Sequence, residues 1–477
     1  MINLCQILWD KAKSVPDKTY IYNSVTEGVS YSKAAAIATK LAGYLRCKGH
    51  FPGPVLAVIL DNAEFLVYII WACLAAGICL AFLPKNRHIR QTRLLMGQVG
   101  ADALVTDVPE LQALSMHIPF DALETAHTVG HEFDLVAPHT PAFIFQTSGT
   151  TGETKWVVVS HGQFLAAIEG LRRAGGLNHA VDQVVYLTPP LSHSYGLSSL
   201  LEYSFAGSTI ALPRGFSPLG AVGDLREPSL AGSITAIEGV PYFYAQLSKL
   251  SGRIKLPKLR HIGYGGGALV PAVFKLLRAA YPVQTCSVRY GMTETPSVVS
   301  QKIFVGRDDE DWTSSGTVLP IYDIRIVDET GTIASRGQVG EIYLKGDCLA
   351  LPYVGEFDNG VDFFATGDLG YVDECQELHV VGRKSVYLES RGFRVSPEYV
   401  ESVVVLHEGV CDCQALNYND GLWLNVVPNV SALSAIDLLS FLAERLPGYA
   451  VPEKVRFVEA IERTKSGKIR RTLNNTD

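Results

Sequence analysis

Residues 65–84 read FLVYIIWACLAAGICLAFLP, a run without a single charge. An uncharged run of about twenty residues is long enough to cross a bilayer as one helix. The same letters also describe two buried elements. A helix over 63–76 would end at Gly77, and residues 79–83 shift to strand-forming side chains before Pro84. Just upstream, VLAVIL at 55–60 reads as another core strand. Strand, helix, strand within thirty residues is the unit of a parallel sheet covered by helices, and Gly77 favours it over the anchor.

Outward from this unit the alternation continues. Strands are expected at 20–22, 103–106, 142–146, 184–187, 208–212 and 233–238, and helices at 32–49, 163–173, 197–205 and 242–250. After Gly316 the pattern changes to short strands, 323–327, 340–344 and 377–381, separated by Gly and Asp turns. The last ninety or so residues carry their own helices, at 397–407 and 435–445. A chain of 477 residues exceeds one hydrophobic core. The expectation is an α/β protein with a large N-terminal domain, 1–383, and a small C-terminal domain, 386–477.

Composition narrows the function. With 47% hydrophobic and 19% charged residues the chain is an ordinary globular protein, and a net charge of −7 opposes electrostatic binding of nucleic acid. The nine cysteines form no CxxC pair, and Cys411-Asp412-Cys413 lacks a second pair at zinc spacing. Free thiols in a reducing compartment are expected. The start has no long apolar stretch of a secretory signal and the end, TLNNTD, is no peroxisomal or reticular address, so the protein is read as cytoplasmic.

Five motifs carry chemistry. TSGTTGETK, residues 147–155, follows the strand at 142–146. Its glycines can turn backbone N–H groups towards a polyphosphate, its hydroxyls add donors, and Lys155 adds positive charge. It is not a Walker A loop, and a solvated turn has the same composition. In YGMTET, 290–295, a hydroxyl and a carboxylate stand side by side, suited to a phosphate oxygen and to Mg²⁺. In TGDLG, 366–370, Asp368 could accept both ribose hydroxyls; Gly382-Arg383 sits at the domain break; and TKSGKIRR, 464–471, is a basic run. Each alone is also an ordinary turn or surface feature.

Together, TSGTTGETK with Ser160-His161, YGMTET, TGDLGYVD, GRKSVYLESRGFRVSP and RTKSGKIRR resemble, over nearly the whole chain, the adenylate-forming superfamily. That group contains acyl-CoA synthetases, luciferase-like enzymes, aryl-acid ligases and peptide-synthetase adenylation domains. The resemblance implies αβ layered subdomains plus a small β-barrel, a mobile α+β C-terminal domain, and no membrane anchor. It implies an AMP-forming acid–thiol ligase that uses ATP and Mg²⁺ to make an acyl-adenylate and pyrophosphate. The acyl group then passes to the thiol of CoA or of phosphopantetheine on a separate carrier protein.

On the same resemblance, Thr147, Ser148, Gly149, Thr150, Thr151, Gly152 and Lys155 would embrace the β- and γ-phosphates. Gly265, Gly266 and Gly267 would line the adenine, on which Tyr290 would stack. Thr293 would touch the α-phosphate, Glu294 would hold Mg²⁺, and Asp368 with Arg383 would fix the ribose. Lys468 matches a mobile lysine bridging the carboxylate and the α-phosphate, His193 an aromatic gate to the acyl pocket, and Gly392 the thiol channel. The hinge position holds Ser385 where many relatives have Asp or Lys, and Glu389 stands where many have lysine. Those two departures bear on the thiol step more than on adenylation.

A carboxylate attacking an anionic phosphate needs positive charge at the reacting centre and no nucleophilic side chain. Residues 189–200 contain no acidic group to hold an α-ammonium, which disfavours an amino acid substrate. His193, Tyr195 and VPYFY at 240–244 suggest an apolar or aromatic pocket, for an aryl or medium acyl acid. Two alternatives stand beside the thiol ligase: an amide ligase with an amine acceptor, and a non-catalytic nucleotide-binding relative. Intact Lys155, Glu294, Asp368 and Lys468 oppose the second.

Overall fold

The uncharged run folds inside the protein. The helix Ala63–Ala76 buries every residue from Leu66 to Ala75, so it has no polar face to offer water. Gly77, at φ +70°, ends it, and the amide of Ile78 reaches back 2.9 Å to the carbonyl of Cys73. The computed structural model describes the chain except residues 1–2, 24–25, 48–54, 61–62, 86–87, 102, 115–134, 149–153, 216–217, 268–270, 297, 306–312, 351–361, 385, 392, 406, 408, 419–420, 429–432, 463–468 and 470–477. Among the described residues no helix is long and apolar enough to cross a membrane.

Two sheets carry the large domain. The hairpin β1 (Thr19–Asn23) and β2 (Thr26–Ser30) sits at the edge of the larger one. Next come β3 (Val55–Ile59), β4 (Cys79–Phe82), β5 (Ala103–Thr106), β6 (Pro141–Ser148) and β7 (Thr154–Ser160), a five-stranded sheet in the order β5-β3-β4-β6-β7. It is parallel except for the terminal β6–β7 hairpin. The larger sheet takes β8 (Val184–Leu187), β9 (Thr209–Ala211), β10 (Ala236–Gly239), β11 (His261–Gly265), β12 (Thr285–Tyr290), β13 (Ser300–Phe304) and β14 (Thr317–Val318). Its order is β14-β13-β12-β11-β10-β8-β9-β1-β2. The strands from β12 to β1 are mutually parallel, so their carboxyl ends share one edge, where open α/β sheets bind ligands.

The expected strand at 233–238 begins only at Ala236. Pro228 sits in the first turn of a helix, Pro228–Ser233, which takes the preceding residues. Where a small barrel is expected, the described residues form an antiparallel sheet of β15 (Asp323–Val327), β16 (Gly340–Lys345), β17 (Phe364–Val372) and β18 (Leu378–Arg383). The bridge of Thr317 with Glu377 ties this sheet to β14.

Beyond β18 lie a ribbon, β19 (Leu388–Ser390) with β20 (Phe393–Val395), and a sheet of β21 (Val410–Tyr418), β22 (Gly421–Pro428) and β23 (Lys454–Phe457). The helices Pro397–Val404 and Ala435–Ala443 pack with them around a separate core that includes Val400, Leu424 and Leu442. Both helices stop two or three residues short of expectation. Lys249 of the large domain donates to the carbonyls of Val410 and Cys411 at 2.9 and 2.8 Å.

Candidate functional site

The carboxyl end of β12 is the centre of the site. Tyr290 is its last residue, and its hydroxyl donates to Asp368 Oδ2 at 2.8 Å. Burial, reinforced by the Asp368 charge, pushes this phenol well above its ordinary range, so it remains a donor. Arg383 is the cross-strand partner of Asp368 on β18, and its Nε lies 2.8 Å from Asp368 Oδ1. Gly367, at φ +73°, bends the backbone there, and the Asp368 amide donates to Thr366 Oγ1 at 3.0 Å. Tyr290, Asp368 and Arg383 therefore form one chain of contacts linking the nine-stranded sheet to the four-stranded one. Asp368 is 5% exposed while the Arg383 side chain is half exposed, so the carboxylate is held at the bottom of an open rim.

After Tyr290 the chain turns. Thr295 Oγ1 accepts from the amide of Met292 at 3.0 Å, and the Glu294 carbonyl accepts from the amide of Ala350 at 2.7 Å. Thr293 and Glu294 are half-buried on this turn. Thr293 Oγ1 lies 3.4 Å from Ser194 Oγ, the first residue of the helix Ser194–Ala206. His193 is exposed at the amino end of that helix, with its carbonyl accepting from Leu197. Gly265 closes β11, followed by Gly266 at φ +76° and by Gly267, both exposed.

Thr147 and Lys155 face each other across the β6–β7 hairpin, with Thr147 Oγ1 3.5 Å from the Lys155 carbonyl. Ser148 pairs with Thr154 at its tip. Gly149, Thr150, Thr151, Gly152, Ser385, Gly392 and Lys468 lie outside the described residues.

Sequence reasoning missed the cluster behind this site. Glu238 ends the apolar run of β10 and Arg289 precedes Tyr290 on β12, and both side chains are buried. Arg289 donates to Glu202 Oε2 at 2.7 Å and lies 3.8 Å from Glu238 Oε1. Tyr195 and Tyr203 donate to Glu238, each at 2.7 Å. Between the two strands lies Gly263, where an added Cβ would stand 2.4 Å from both Glu238 oxygens. The signal in the sequence was slight: one acidic and one basic residue, each in a buried strand. Phe243 and Tyr244, expected to line the pocket, are buried in the hydrophobic core, where the Tyr244 hydroxyl donates to the carbonyls of Ile237 and Gly263.

Comparison with known proteins matches residues 8–354 to the AMP-binding enzyme family and residues 399–468 to the AMP-binding enzyme C-terminal domain. The chain is 27% identical to 2-succinylbenzoate–CoA ligase of Bacillus subtilis strain 168, over 97% of this chain and 96% of the relative. It is likewise 27% identical to 4-coumarate–CoA ligase 3 of Oryza sativa subsp. japonica, over 93% of this chain and 86% of the relative. Among solved structures, o-succinylbenzoate coenzyme A synthetase of Bacillus subtilis with ATP and magnesium ion superposes with a TM-score of 0.78 at 25% identity, covering 97% and 98% of the two chains.

Proposed function

The chain belongs to the AMP-binding enzyme family, and on that premise we propose that it is an ATP-dependent carboxylic acid–CoA ligase. The observation that carries the reading is the contact chain of Tyr290, Asp368 and Arg383 at the carboxyl edge of the parallel strands. A buried carboxylate beneath an open arginine suits the two hydroxyls of a ribose. The hard oxygens of Glu294 and Thr293, half-buried side by side, fit Mg²⁺, which supplies positive charge at the phosphates when bound.

In the first step an oxygen of the acid attacks the α-phosphorus, the new acyl–phosphate bond forms, and the bond to pyrophosphate breaks. Thr293 orients the α-phosphate, Asp368 and Arg383 hold the ribose, and Thr147 and Lys155 steady the departing phosphates at the hairpin. Lys468 offsets the negative charge that gathers on the reacting oxygens. In the second step the CoA sulfur attacks the acyl carbon, AMP leaves, and the thiol proton passes to solvent. Residues 386–477 would form a mobile domain hinged at Ser385, with Gly392 beside the thiol. The full-length similarity to CoA ligases of small ring-containing acids supports CoA over a carrier protein as acceptor.

The test is ATP–pyrophosphate exchange across aryl, fatty and amino acids, followed by thioester formation with CoA. Exchange stimulated by one acid class, and a CoA thioester of that acid, are expected. Absence of exchange with every acid would remove the ligase reading.

A further inference from the structure

The peptide unit between Leu349 and Ala350 stands where elements of three sheets meet. It lies beyond β16, in a turn where the Leu349 amide donates to the Gly346 carbonyl. Its N–H, on Ala350, donates at 2.7 Å to the Glu294 carbonyl, on the turn after β12. Its carbonyl, on Leu349, accepts at 2.6 Å from Gln163 Nε2, in the first turn of the helix His161–Arg173 that follows β7. A peptide unit is planar, with its N–H and C=O opposed, so this one is a rigid spacer between Gln163 and Glu294.

Gln163 also closes the amino end of its own helix. Its Oε1 accepts from the Ser160 amide at 2.8 Å, and Ser160 Oγ accepts from the Gln163 amide at 3.3 Å. That reciprocal cap uses only the side-chain oxygen, and a glutamate would complete it equally well. The nitrogen reaches instead to a carbonyl 186 residues away in the chain. A donor at one end and an acceptor at the other fix which way the amide points. The bonds run in one line, Ser160 to Gln163, Gln163 to Leu349, Ala350 to Glu294, and each amide polarises the next.

We infer that Gln163 is a positioning residue for Glu294: through the Leu349–Ala350 peptide it fixes the turn from which Glu294 meets Mg²⁺ and Thr293 the α-phosphate. The inference rests on the reading of Glu294 as the Mg²⁺ ligand. The next carbonyl of the turn, on Thr295, is held as well, by the Tyr322 hydroxyl at 2.9 Å. The turn is thus gripped at two consecutive carbonyls by donors from outside it. Tyr322 and Thr295 are buried, and replacing either disturbs the core. Gln163 is only half-buried, and its nitrogen can be removed by itself.

The test compares Gln163→Glu, which keeps the acceptor of the cap and loses the donor to Leu349, with Ser160→Ala, which loses the cap's hydroxyl and keeps the relay. ATP binding to the full-length protein is measured by calorimetry in Mg²⁺ and in EDTA, which requires no knowledge of the acid, together with the urea midpoint. Gln163→Glu should cut the gain in ATP affinity that Mg²⁺ confers by about tenfold, the scale on which outer contacts tune a metal site. Ser160→Ala should lower the urea midpoint and leave that gain at its wild-type value. Gln163→Ala lacks both functions and should show both effects, and it decides the matter where the glutamate variant does not fold. Position-163 variants with a wild-type Mg²⁺ gain overturn the inference. So does a Ser160→Ala protein whose Mg²⁺ gain falls as far, which would make helix stability the cause. A wild type that binds ATP equally with and without Mg²⁺ removes the reading of Glu294 as ligand, and the inference with it.

Discussion

Two buried side chains put physical limits on what this protein tolerates. Arg289 lies between Glu202 and Glu238, none of the three reaching water. Arg289→Ala would leave two buried carboxylates without a counter-charge, a change of about 3–5 kcal/mol in stability. Urea denaturation should show it as a lower midpoint; an unchanged midpoint would mean that water enters the cluster. His161, 1% exposed, has neither ring nitrogen hydrogen-bonded among the described residues, and burial lowers its pKa from 6.5 to about 4. The unfolded chain binds a proton on this ring below pH 6.5, while the folded chain does so only near pH 4. This ring therefore favours the folded state fully above 6.5, and that contribution shrinks as pH falls towards 4, by roughly 3 kcal/mol in all. Urea midpoints measured down that range should fall more steeply for the wild type than for His161→Gln. Parallel slopes would show that His161 is protonated inside the fold.

At the scale of elements, register is what brings the site together. Glu238 on β10 is level with Gly263 on β11, and Arg289 on β12 is level with Gly265. Gly263→Ala puts a methyl into the Glu238 carboxylate, with an expected loss of about 1–3 kcal/mol. Combining it with Glu238→Ala should recover part of that loss, and a double-mutant cycle reads the coupling directly. Strict additivity would place the strain elsewhere. This dependence on register also explains what the sequence could show. The parallel strands were legible because both faces are buried, which leaves continuous apolar runs such as VLAVI in β3. Asp368 and Arg383 were legible because each lies in a motif with a turn glycine beside it. Glu238 and Arg289 were not: fifty-one residues apart, each is one charge at the end of a strand, and only the crossing of three strands makes them neighbours. Phe243 and Tyr244 fall in the core for the opposite reason, since aromatic composition does not say which face of a helix a ring will take.

At the scale of the molecule, adenylation in the proposed mechanism draws on both sheets of the large domain and on the small domain through Lys468. Lys468→Ala should lower adenylate formation by about a hundredfold or more while leaving ATP affinity nearly unchanged, because the lysine acts on charge that develops during the reaction. Gly392→Trp should slow the CoA step and spare pyrophosphate exchange. Measuring the two half-reactions separately checks both variants; an equal loss of both steps in Gly392→Trp would misplace the thiol route. The interlock of Gly263, Glu238 and Arg289 has a further consequence for descent. Losing Arg289 strands two acids, losing Glu238 removes the nearest acceptor of Tyr195 and Tyr203, and any side chain at position 263 collides with Glu238. A lineage carrying this trio cannot exchange one member at a time without passing through poorly folding intermediates. The trio is thereby held in place by epistasis, and it will change by paired replacements or remain as it is.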